Sequence, residues 1–382
     1  MTKKVAFILT IIYLSLFSQG LNDGTLGVAW PSIRYEMGSP LEHAGFLTIT
    51  SFTMYSVMAP IVSQLYKFLK SHTIALLGVI LMIIGNIGFF VAPAFFMLII
   101  MIGIVASGQA FIETSFSSYL AKHFSARYMN WALCFWGMGA SVSPLIMTQM
   151  IILFDWRIGY LVLIFMQACV VILSYIGIKK GIWSKEDTIR RKKREHKNTK
   201  VKLSYQVLQM STFFIFTGTQ TAIGFWVTSV MLESRGLSVG SAGMYPALYF
   251  GFIMVGRLFF GGMANRYSNM NLMRLGFLAA CMGIALLMVT THVLGIILIG
   301  FGVAPIFPCL IHETTRRFNS DAVERQMGFQ LSAAGFGEII SSSMGFVLAV
   351  ISLEALFPIT LLLLVVAFII NESIEIKVKK SA

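Results

Sequence analysis

The segment TIALLGVILMIIGNIGFFV occupies residues 73–91 and contains no charged side chain. An α-helix rises 1.5 Å per residue, so this segment would form a helix about 29 Å long. That length matches the hydrocarbon core of a bilayer, which is roughly 30 Å thick. We therefore predict that residues 73–91 form a membrane-spanning helix.

The same pattern recurs along the whole chain, with six apolar segments on each side of a polar stretch. This predicts an all-α membrane protein with 12 transmembrane helices in two six-helix bundles, at residues 1–178 and 205–382, joined by a linker at 179–204. The predicted spans lie at about 5–31, 43–66, 73–91, 94–120, 128–153 and 157–178, and at about 205–232, 242–264, 272–290, 293–314, 326–352 and 355–371.

The composition excludes a soluble enzyme or a soluble nucleic-acid-binding domain. Of the 382 residues, 57% are hydrophobic and only 12% are charged, whereas soluble chains carry about 25% charged residues. The mean hydropathy of +0.80 points the same way. The chain therefore has too little polar surface to cover a water-soluble protein of its size, and a lipid bilayer is its expected environment.

The positive charges are distributed as in a membrane protein with both termini in the cytoplasm. With that orientation, all but three of the 29 Lys and Arg residues lie on the cytoplasmic side, the exceptions being Arg34, Arg157 and Arg235. This satisfies the positive-inside rule. The linker at 179–204 contains 11 of these residues and is interpreted as a basic cytoplasmic connection, not as a nucleic-acid site. We predict a multi-pass protein of the bacterial cytoplasmic membrane.

The two halves also share short sequence matches in corresponding spans. Glu113-Thr114 in span 4 matches Glu313-Thr314 in span 10. In spans 5 and 11, Gly137-Met138-Gly139 matches Gly335-Phe336-Gly337. Several matches in the same order indicate a duplication, which is the construction of many secondary transporters.

Motifs for enzymatic chemistry are missing from the sequence. It contains no P-loop and no G-x-S-x-G motif. The six His residues are scattered, and the four Cys residues lie within apolar segments. We predict that the protein is not an enzyme, hydrolyses no ATP and holds neither a cofactor nor a metal ion.

Glu113 is the acidic residue placed most clearly inside a predicted span. It lies nine residues before Lys122, and so about 13 Å from the cytoplasmic end of its helix. Gln109 lies four residues earlier, on the same helix face. An ionisable group at this depth is costly and is by default a functional candidate. A carboxyl group removed from water holds its proton more readily, as a proton carrier requires. The alternative is a structural hydrogen bond between helices.

Asp23 is the second such candidate. Gln19 precedes it by four residues and therefore shares its helix face, and Asn22 lies beside it. Gly20 and Gly24 would allow a ligand or a neighbouring helix to approach the backbone closely. An aspartate at the outer interface is the alternative, because Asp23 lies about 27 Å along the helix from the start of the span.

Two further acidic residues lie in the second half. Glu338 falls about 12 residues into span 11 and is a third candidate for proton coupling, with a structural role as the alternative. Glu313 stands four residues before Arg317, which favours an ion pair near the cytoplasmic end of the helix.

Aromatic and amide side chains inside the spans suit a small polar solute. Aromatic faces stack on the C–H faces of a sugar ring, while amides and carboxylates bind its hydroxyl groups. Helix packing is the alternative for each aromatic residue. The predicted substrate-binding residues are Gln19, Asn22, Asp23, Gln109, Glu113, Asn130, Trp136, Gln220, Trp226 and Gln330.

Over essentially its whole length the sequence resembles the major facilitator superfamily. The segment Gly262–Ser268, GMANRYS, is similar to the cytoplasmic loop motif of that family, with Asn265 in place of the usual Asp and Ser268 in place of Gly. The corresponding loop after span 2, at 67–70, lacks the motif. The resemblance implies a transporter with two pseudo-symmetric bundles of six helices.

Within the superfamily, the sequence resembles the branch of fucose–galactose–glucose proton symporters. Leu21-Asn22-Asp23-Gly24 in span 1, Glu113-Thr114 in span 4 and the Gly-rich segment 137–144 in span 5 carry this likeness. The resemblance implies that Asp23 and Glu113 take part in proton coupling and sugar binding, and that Asn22 contacts the sugar.

The predicted function is therefore proton-coupled uptake of a sugar or sugar-like solute by alternating access. Protons and a small-molecule substrate are the expected partners, with no nucleic acid, and a monomer is the expected state. One alternative is a proton-coupled antiporter that exports drugs or metabolites. Another is a receptor or scaffold that transports nothing, in which case both carboxylates would affect only stability.

Overall fold

Within the described residues, twelve helical segments are long and apolar enough to cross a membrane. They confirm the predicted all-α membrane protein, while the cytoplasmic position of the termini stays a prediction. The computed structural model describes residues 3–66, 68–124, 126–183, 203–263, 266–317 and 320–381.

The chain divides into two compact units, which comprise residues 1–192 and residues 193–382. Most of the predicted linker at 179–204 lies outside the described residues, so its bounds stay a prediction. The N-terminal unit contains α1 (Lys3–Glu36), α2 (His43–Leu65), α3 (Ser71–Val91), α4 (Phe95–His123), α5 (Ala126–Leu153) and α6 (Trp156–Lys179). The C-terminal unit contains α7 (Leu203–Ser229), α8 (Val239–Met263), α9 (Asn269–Val289), α10 (Leu294–Val303), α11 (Ile306–Arg317), α12 (Ser320–Val350) and α13 (Leu356–Ser381).

One span of the C-terminal unit consists of two helices. The tenth predicted span is interrupted between Val303, where α10 ends, and Ile306, where α11 begins. Pro305 lies at this interruption and has no backbone N–H to continue the helix. Pro308 falls in the first turn of α11, where a proline is tolerated.

Within each unit, a glycine brings two helices into close contact, and the helix pairs of the two units correspond. A Cβ added to Gly139 in α5 would overlap the carbonyl oxygen of Phe17 in α1. A Cβ added to Gly337 in α12 would overlap the carbonyl oxygen of Phe214 in α7. The matched glycines of the sequence repeat thus make the same helix contact in each unit, which supports the inferred duplication. Small residues of this kind let membrane helices approach each other at backbone distance.

An ion pair joins three helix ends on the predicted outer side of the N-terminal unit. Arg157, at the start of α6, lies with Nη1 2.5 Å from Oε1 of Glu36 at the end of α1. Its Nη2 donates to the carbonyl oxygen of Ala92, just after α3, at 3.1 Å. Trp156 donates its indole N–H to Glu36 at 2.6 Å, and the guanidinium of Arg157 stacks on the Trp156 ring at 4.4 Å.

The C-terminal unit contains the same arrangement with the charges exchanged. Arg235 now follows α7, and its Nη2 lies 2.7 Å from Oε2 of Glu354, which precedes α13. The same guanidinium donates to the carbonyl oxygens of Leu287 and Thr290 at the end of α9, each at 2.6 Å. It also lies 5.0 Å from the centre of the Phe357 ring.

These ion pairs account for two of the three arginines that depart from the positive-inside pattern. Arg157 and Arg235 each bind a glutamate and backbone carbonyls at a helix C-terminus, where a cation is favourable. At their predicted outer position, they hold together the first, third and sixth spans of each unit.

The glycine contacts predict a position-specific loss of stability. Gly139→Ala and Gly337→Ala are each expected to lower the free energy of unfolding by about 1–3 kcal/mol, because the new Cβ would force two helices apart. Gly262→Ala is the matched control, since a Cβ there meets nothing within 4 Å among the described residues. Thermal unfolding in lipid nanodiscs measures the difference, and equal unfolding temperatures for all three variants would contradict the proposed contact.

In the N-terminal unit the first span carries the acid of the ion pair, and in the C-terminal unit it carries the base. Exchanging the two charged residues of one ion pair should therefore restore the stability that a single charge reversal removes. Glu36→Arg alone is expected to destabilise the protein by about 1 kcal/mol, because two arginines then face each other. Glu36→Arg combined with Arg157→Glu reproduces the polarity of the C-terminal unit and is expected to recover at least half of that loss. The unfolding temperatures of the native protein and the two variants test this. A double variant no more stable than the single one would refute the pairing.

Candidate functional site

Two glutamines and two carboxylates form reciprocal hydrogen bonds between α1 and α4. Gln109 Nε2 donates to Oδ1 of Asp23 at 2.6 Å. Gln19 Nε2 donates to Oε2 of Glu113 at 3.1 Å. Each helix thus contributes one amide donor and one carboxylate acceptor, so two predicted carboxylates and their predicted neighbours come together in one site.

The spacing of these residues explains the reciprocal pattern. Both helices contain a glutamine followed four residues later by an acid, which places each pair one helical turn, about 6 Å, apart on one face. The observed bonds join Gln19 to Glu113 and Asp23 to Gln109, as two helices running in opposite directions require. The turn of α1 between Gln19 and Asp23 therefore lies against the turn of α4 between Gln109 and Glu113.

An indole and a phenol complete the hydrogen bonding of the two carboxylates. Trp136 in α5 donates its N–H to Oδ2 of Asp23 at 2.7 Å. Tyr55 in α2 donates its hydroxyl group to Oε2 of Glu113 at 2.8 Å. Gly20 helps to place Trp136, because a Cβ at Gly20 would overlap the Trp136 carbonyl oxygen where α5 crosses α1. The site therefore draws on four helices of the N-terminal unit.

Burial differs between the members of the site. Gln19 and Gln109 are buried, with 5% and 7% of their surface exposed, whereas Glu113 is half-buried and Asp23 is exposed. Within the described residues, neither carboxylate forms an ion pair with Lys, Arg or His. Contact of a charged group with lipid is expensive, so the exposed side of Asp23 indicates contact with water or a ligand.

Tyr55 is a member of the site that the sequence analysis missed. A single tyrosine within an apolar span carries no signal of its own, because tyrosines also occur there for packing. Asn22 was predicted, but its Nδ2 donates to the carbonyl oxygen of Ser18 in its own helix at 3.1 Å. The side chain of Asn130 lies outside the described part of the structure.

Among the contacts of the described residues, the predicted residues Trp226, Gln220 and Gln330 of the C-terminal unit each have separate partners. Trp226 is fully buried and donates its N–H to the carbonyl oxygen of Ser341 at 3.0 Å, joining α7 to α12. Gln220 is half-buried and accepts the hydroxyl group of Tyr249 at its backbone carbonyl oxygen. Glu338 is half-buried in α12. Their roles in binding and proton coupling stay predictions.

Gln330 belongs to a separate buried group. Its Oε1 accepts the hydroxyl group of Thr314 at 2.7 Å, and Thr314 in turn accepts the Nε2 of Gln209 at 3.1 Å. The sequence analysis included neither Thr314 nor Gln209 among its candidates, since single hydroxyl and amide groups near helix ends are common.

Glu313 lies in an ion-pair network on the predicted inner side of the C-terminal unit. Its Oε2 is 2.5 Å from Nε of Arg316 and 3.9 Å from Nε of Arg317, so the predicted partner Arg317 is the more distant one. Burial lowers the pKa of Arg317, and the nearby Glu313 and Glu375 act in the opposite direction. Six side chains of balanced charge meet here beside a cavity of about 440 Å³, namely Arg274, Glu313, Arg316, Arg317, Glu372 and Glu375. The acids and bases neutralise one another, which fits a structural role.

Solved structures of membrane transporters have a similar fold. A bacterial homologue of the human lysosomal transporter Spinster, in an inward-facing and occupied conformation, superposes with a TM-score of 0.74 at 14% sequence identity, covering 98% of this chain and 97% of that one. A peptide transporter, POT, gives a TM-score of 0.77 at 12% identity as a mutant with alafosfalin. The structure of POT with sulfate gives a TM-score of 0.75 at 11% identity. In both comparisons with POT, the superposition covers 96% of this chain and 94% of the POT chain.

The sequence itself carries the family signature. No curated protein matches the chain by sequence. The sequence model of the Major Facilitator Superfamily, however, matches residues 12–342, which is most of the chain. Members of that family are transporters and not enzymes, in agreement with the sequence prediction. The chain is therefore a multi-pass membrane transporter that belongs to the Major Facilitator Superfamily.

Proposed function

We propose that this protein is a proton-coupled secondary transporter that takes up a sugar or another small polar solute by alternating access, with Asp23 and Glu113 as its proton-binding groups. The observation that carries the proposal is the pair of reciprocal bonds, Gln109 to Asp23 and Gln19 to Glu113. These place two carboxylates one helical turn apart within a helix bundle.

The donors around the carboxylates suit reversible protonation. An arginine or lysine beside a carboxylate strongly favours its ionised form, whereas neutral amide, indole and phenol donors favour that form less, so protonation stays accessible. Glu113 accepts both of its described hydrogen bonds at Oε2, so Oε1 is open to a proton. Two carboxylates one turn apart repel each other when both are ionised, which favours uptake of at least one proton.

The same bonds provide a link between protonation and helix movement. A hydrogen bond to an ionised carboxylate is about twice as strong as one between neutral groups. Protonation of Asp23 or Glu113 therefore weakens the attachment of α1 to α4, and loss of the proton restores it. A proton bound at this site would change the energy of a movement between these helices, as coupled transport requires.

The chemistry of the site suits a solute with several hydroxyl groups. Asp23 and Glu113 offer acceptors, and Tyr55 can donate or accept. The ring of Trp136 provides an aromatic face beside the exposed carboxylate of Asp23. Binding sites for sugars combine such polar groups with an aromatic plane. The likeness of Leu21–Gly24 and Glu113-Thr114 to sugar–proton symporters supports the same class.

Neutralising either carboxylate is expected to abolish proton-coupled uptake. In proteoliposomes exposed to hexoses and deoxyhexoses, the native protein should give a solute-evoked inward proton current, and Asp23→Asn or Glu113→Gln should reduce it at least tenfold. Glu42→Gln is the matched control, because Glu42 lies between α1 and α2, outside the network. It should leave the current unchanged.

Other outcomes of this experiment would contradict the proposal in distinct ways. When the same proteoliposomes are exposed to cationic dyes, proton release driven by the dyes, with no response to sugars, would identify an antiporter that exports its substrates. Solute currents that persist in both carboxylate variants would remove Asp23 and Glu113 from the coupling mechanism.

A further inference from the structure

Four polar side chains are completely buried near the predicted inner end of the C-terminal unit. Gln209 lies in α7, Thr314 in α11, and Gln326 and Gln330 lie one turn apart in α12. The exposed fraction is 0% for the first three residues and 1% for Gln330. We call these residues the amide cluster.

The amide cluster has fewer hydrogen bonds than its atoms can make. Gln209 donates to Thr314, and Thr314 donates to Gln330. Within the described part of the chain, Oε1 of Gln209, Nε2 of Gln330 and both amide atoms of Gln326 have no hydrogen-bond partner. Buried polar groups are nearly always paired, and an unpaired one opposes the conformation that buries it.

The fold itself does not require an amide at position 209, as α1 of the N-terminal unit demonstrates. Phe17 and Phe214 are equivalent, since their carbonyl oxygens face the matched glycines. Five residues earlier, α7 has Gln209, whereas α1 has Ile12. Ile12 is 0% exposed and belongs to an apolar core.

The comparison of α5 with α12 leads to the same conclusion. Seven residues before the matched glycines Gly139 and Gly337 lie Ala132 and Gln330, respectively. Ala132 is 1% exposed, as Gln330 is, and packs in the same apolar core as Ile12. At these two positions the units therefore bury their side chains equally well, with an apolar residue in one unit and an amide in the other.

We propose that the amide cluster is a hydration site, closed in the described conformation and occupied by water when α7, α11 and α12 separate locally. The unpaired atoms comprise two acceptor oxygens and two donor nitrogens, so the ligand must both donate and accept hydrogen bonds. The cluster has no charged side chain, and Arg316 near Thr314 is already paired with Glu313 and Glu375. A small neutral molecule fits this chemistry, and a cation does not.

Hydration would stabilise a second, opened conformation of the C-terminal unit. Closing the amide cluster removes water from four atoms that find no replacement partner, while opening it restores their hydrogen bonds. The amides thus favour an opened inner end, which the apolar counterparts Ile12 and Ala132 do not. This effect is independent of the identity of the transported solute and of Asp23 and Glu113.

Matched cysteines in the two units test whether water reaches the amide cluster. Gln330→Cys and Ala132→Cys are made separately in a background with alanine at Cys134, Cys169, Cys281 and Cys309. Each protein, in lipid nanodiscs, is treated with a small neutral methanethiosulfonate reagent, which reacts with the thiolate that forms only where water reaches the thiol. We expect the cysteine at position 330 to react at least tenfold faster than the one at position 132, although both positions are equally buried. Equal rates would overturn the proposal.

A second set of variants separates hydration from a general loosening of the helices. Gln209→Ile with Gln326→Leu should slow the reaction at position 330 at least fivefold, towards the rate at position 132. Gln206→Ile is the matched control, since Gln206 is half-buried one turn before Gln209 in α7 and should leave the rate unchanged. A rate at position 330 that is unaffected by removal of the amides would refute the proposal. If the protein with Gln330→Cys does not fold, Gln209→Cys and Ile12→Cys provide the equivalent pair.

Discussion

The structure of the candidate site depends on one requirement, which is that each carboxylate inside the helix bundle must receive hydrogen bonds. Asp23 obtains them from Gln109 and Trp136, and Glu113 obtains them from Gln19 and Tyr55. An ionised group within a membrane span is costly without such bonds, and the exposed side of Asp23 is open to water or a ligand. The carboxylates therefore fix how α1, α2, α4 and α5 meet, and the same contacts make helix movement sensitive to protonation.

The duplicated architecture supports two different polar sites. Corresponding glycines bring α1 onto α5 and α7 onto α12. Two residues after the equivalent Phe17 and Phe214, however, Gln19 of α1 corresponds to Phe216, which is fully buried. The C-terminal unit thus has an apolar side chain at the point where α1 contributes the amide that donates to Glu113. Near the predicted inner end the opposite holds, because the C-terminal unit has the buried amides Gln209 and Gln330 where the N-terminal unit has Ile12 and Ala132.

The fold was largely predictable from the sequence, because lipid imposes strong and simple rules on a chain. Twelve apolar segments and the asymmetry of Lys and Arg were sufficient to predict the spans. The sequence showed that Arg157 and Arg235 depart from this asymmetry, but it did not show that they form ion pairs. Arg157 and Arg235 bind glutamates about 120 residues away in the chain, and helix periodicity contains no information on contacts at that separation.

The candidate site was predictable in its members but not in its connections. A glutamine four residues before an acid marked one face of α1 and one face of α4, which led to Gln19, Asp23, Gln109 and Glu113. That these faces bind each other reciprocally follows only from the packing of the helices. Tyr55 gave no sequence signal, because its neighbours are those of an ordinary lipid-facing helix.

Infrared difference spectroscopy on a pH change tests the central claim most directly, because it detects protonation of carboxyl groups without knowledge of the solute. For the native protein in lipid, acidification should produce carbonyl bands of protonated carboxylic acids. Our account predicts that Asp23→Asn and Glu113→Gln each remove part of these bands, whereas Glu42→Gln leaves the bands of buried groups unchanged. Identical bands in the native protein and both carboxylate variants would show that neither Asp23 nor Glu113 exchanges a proton, and would contradict the account.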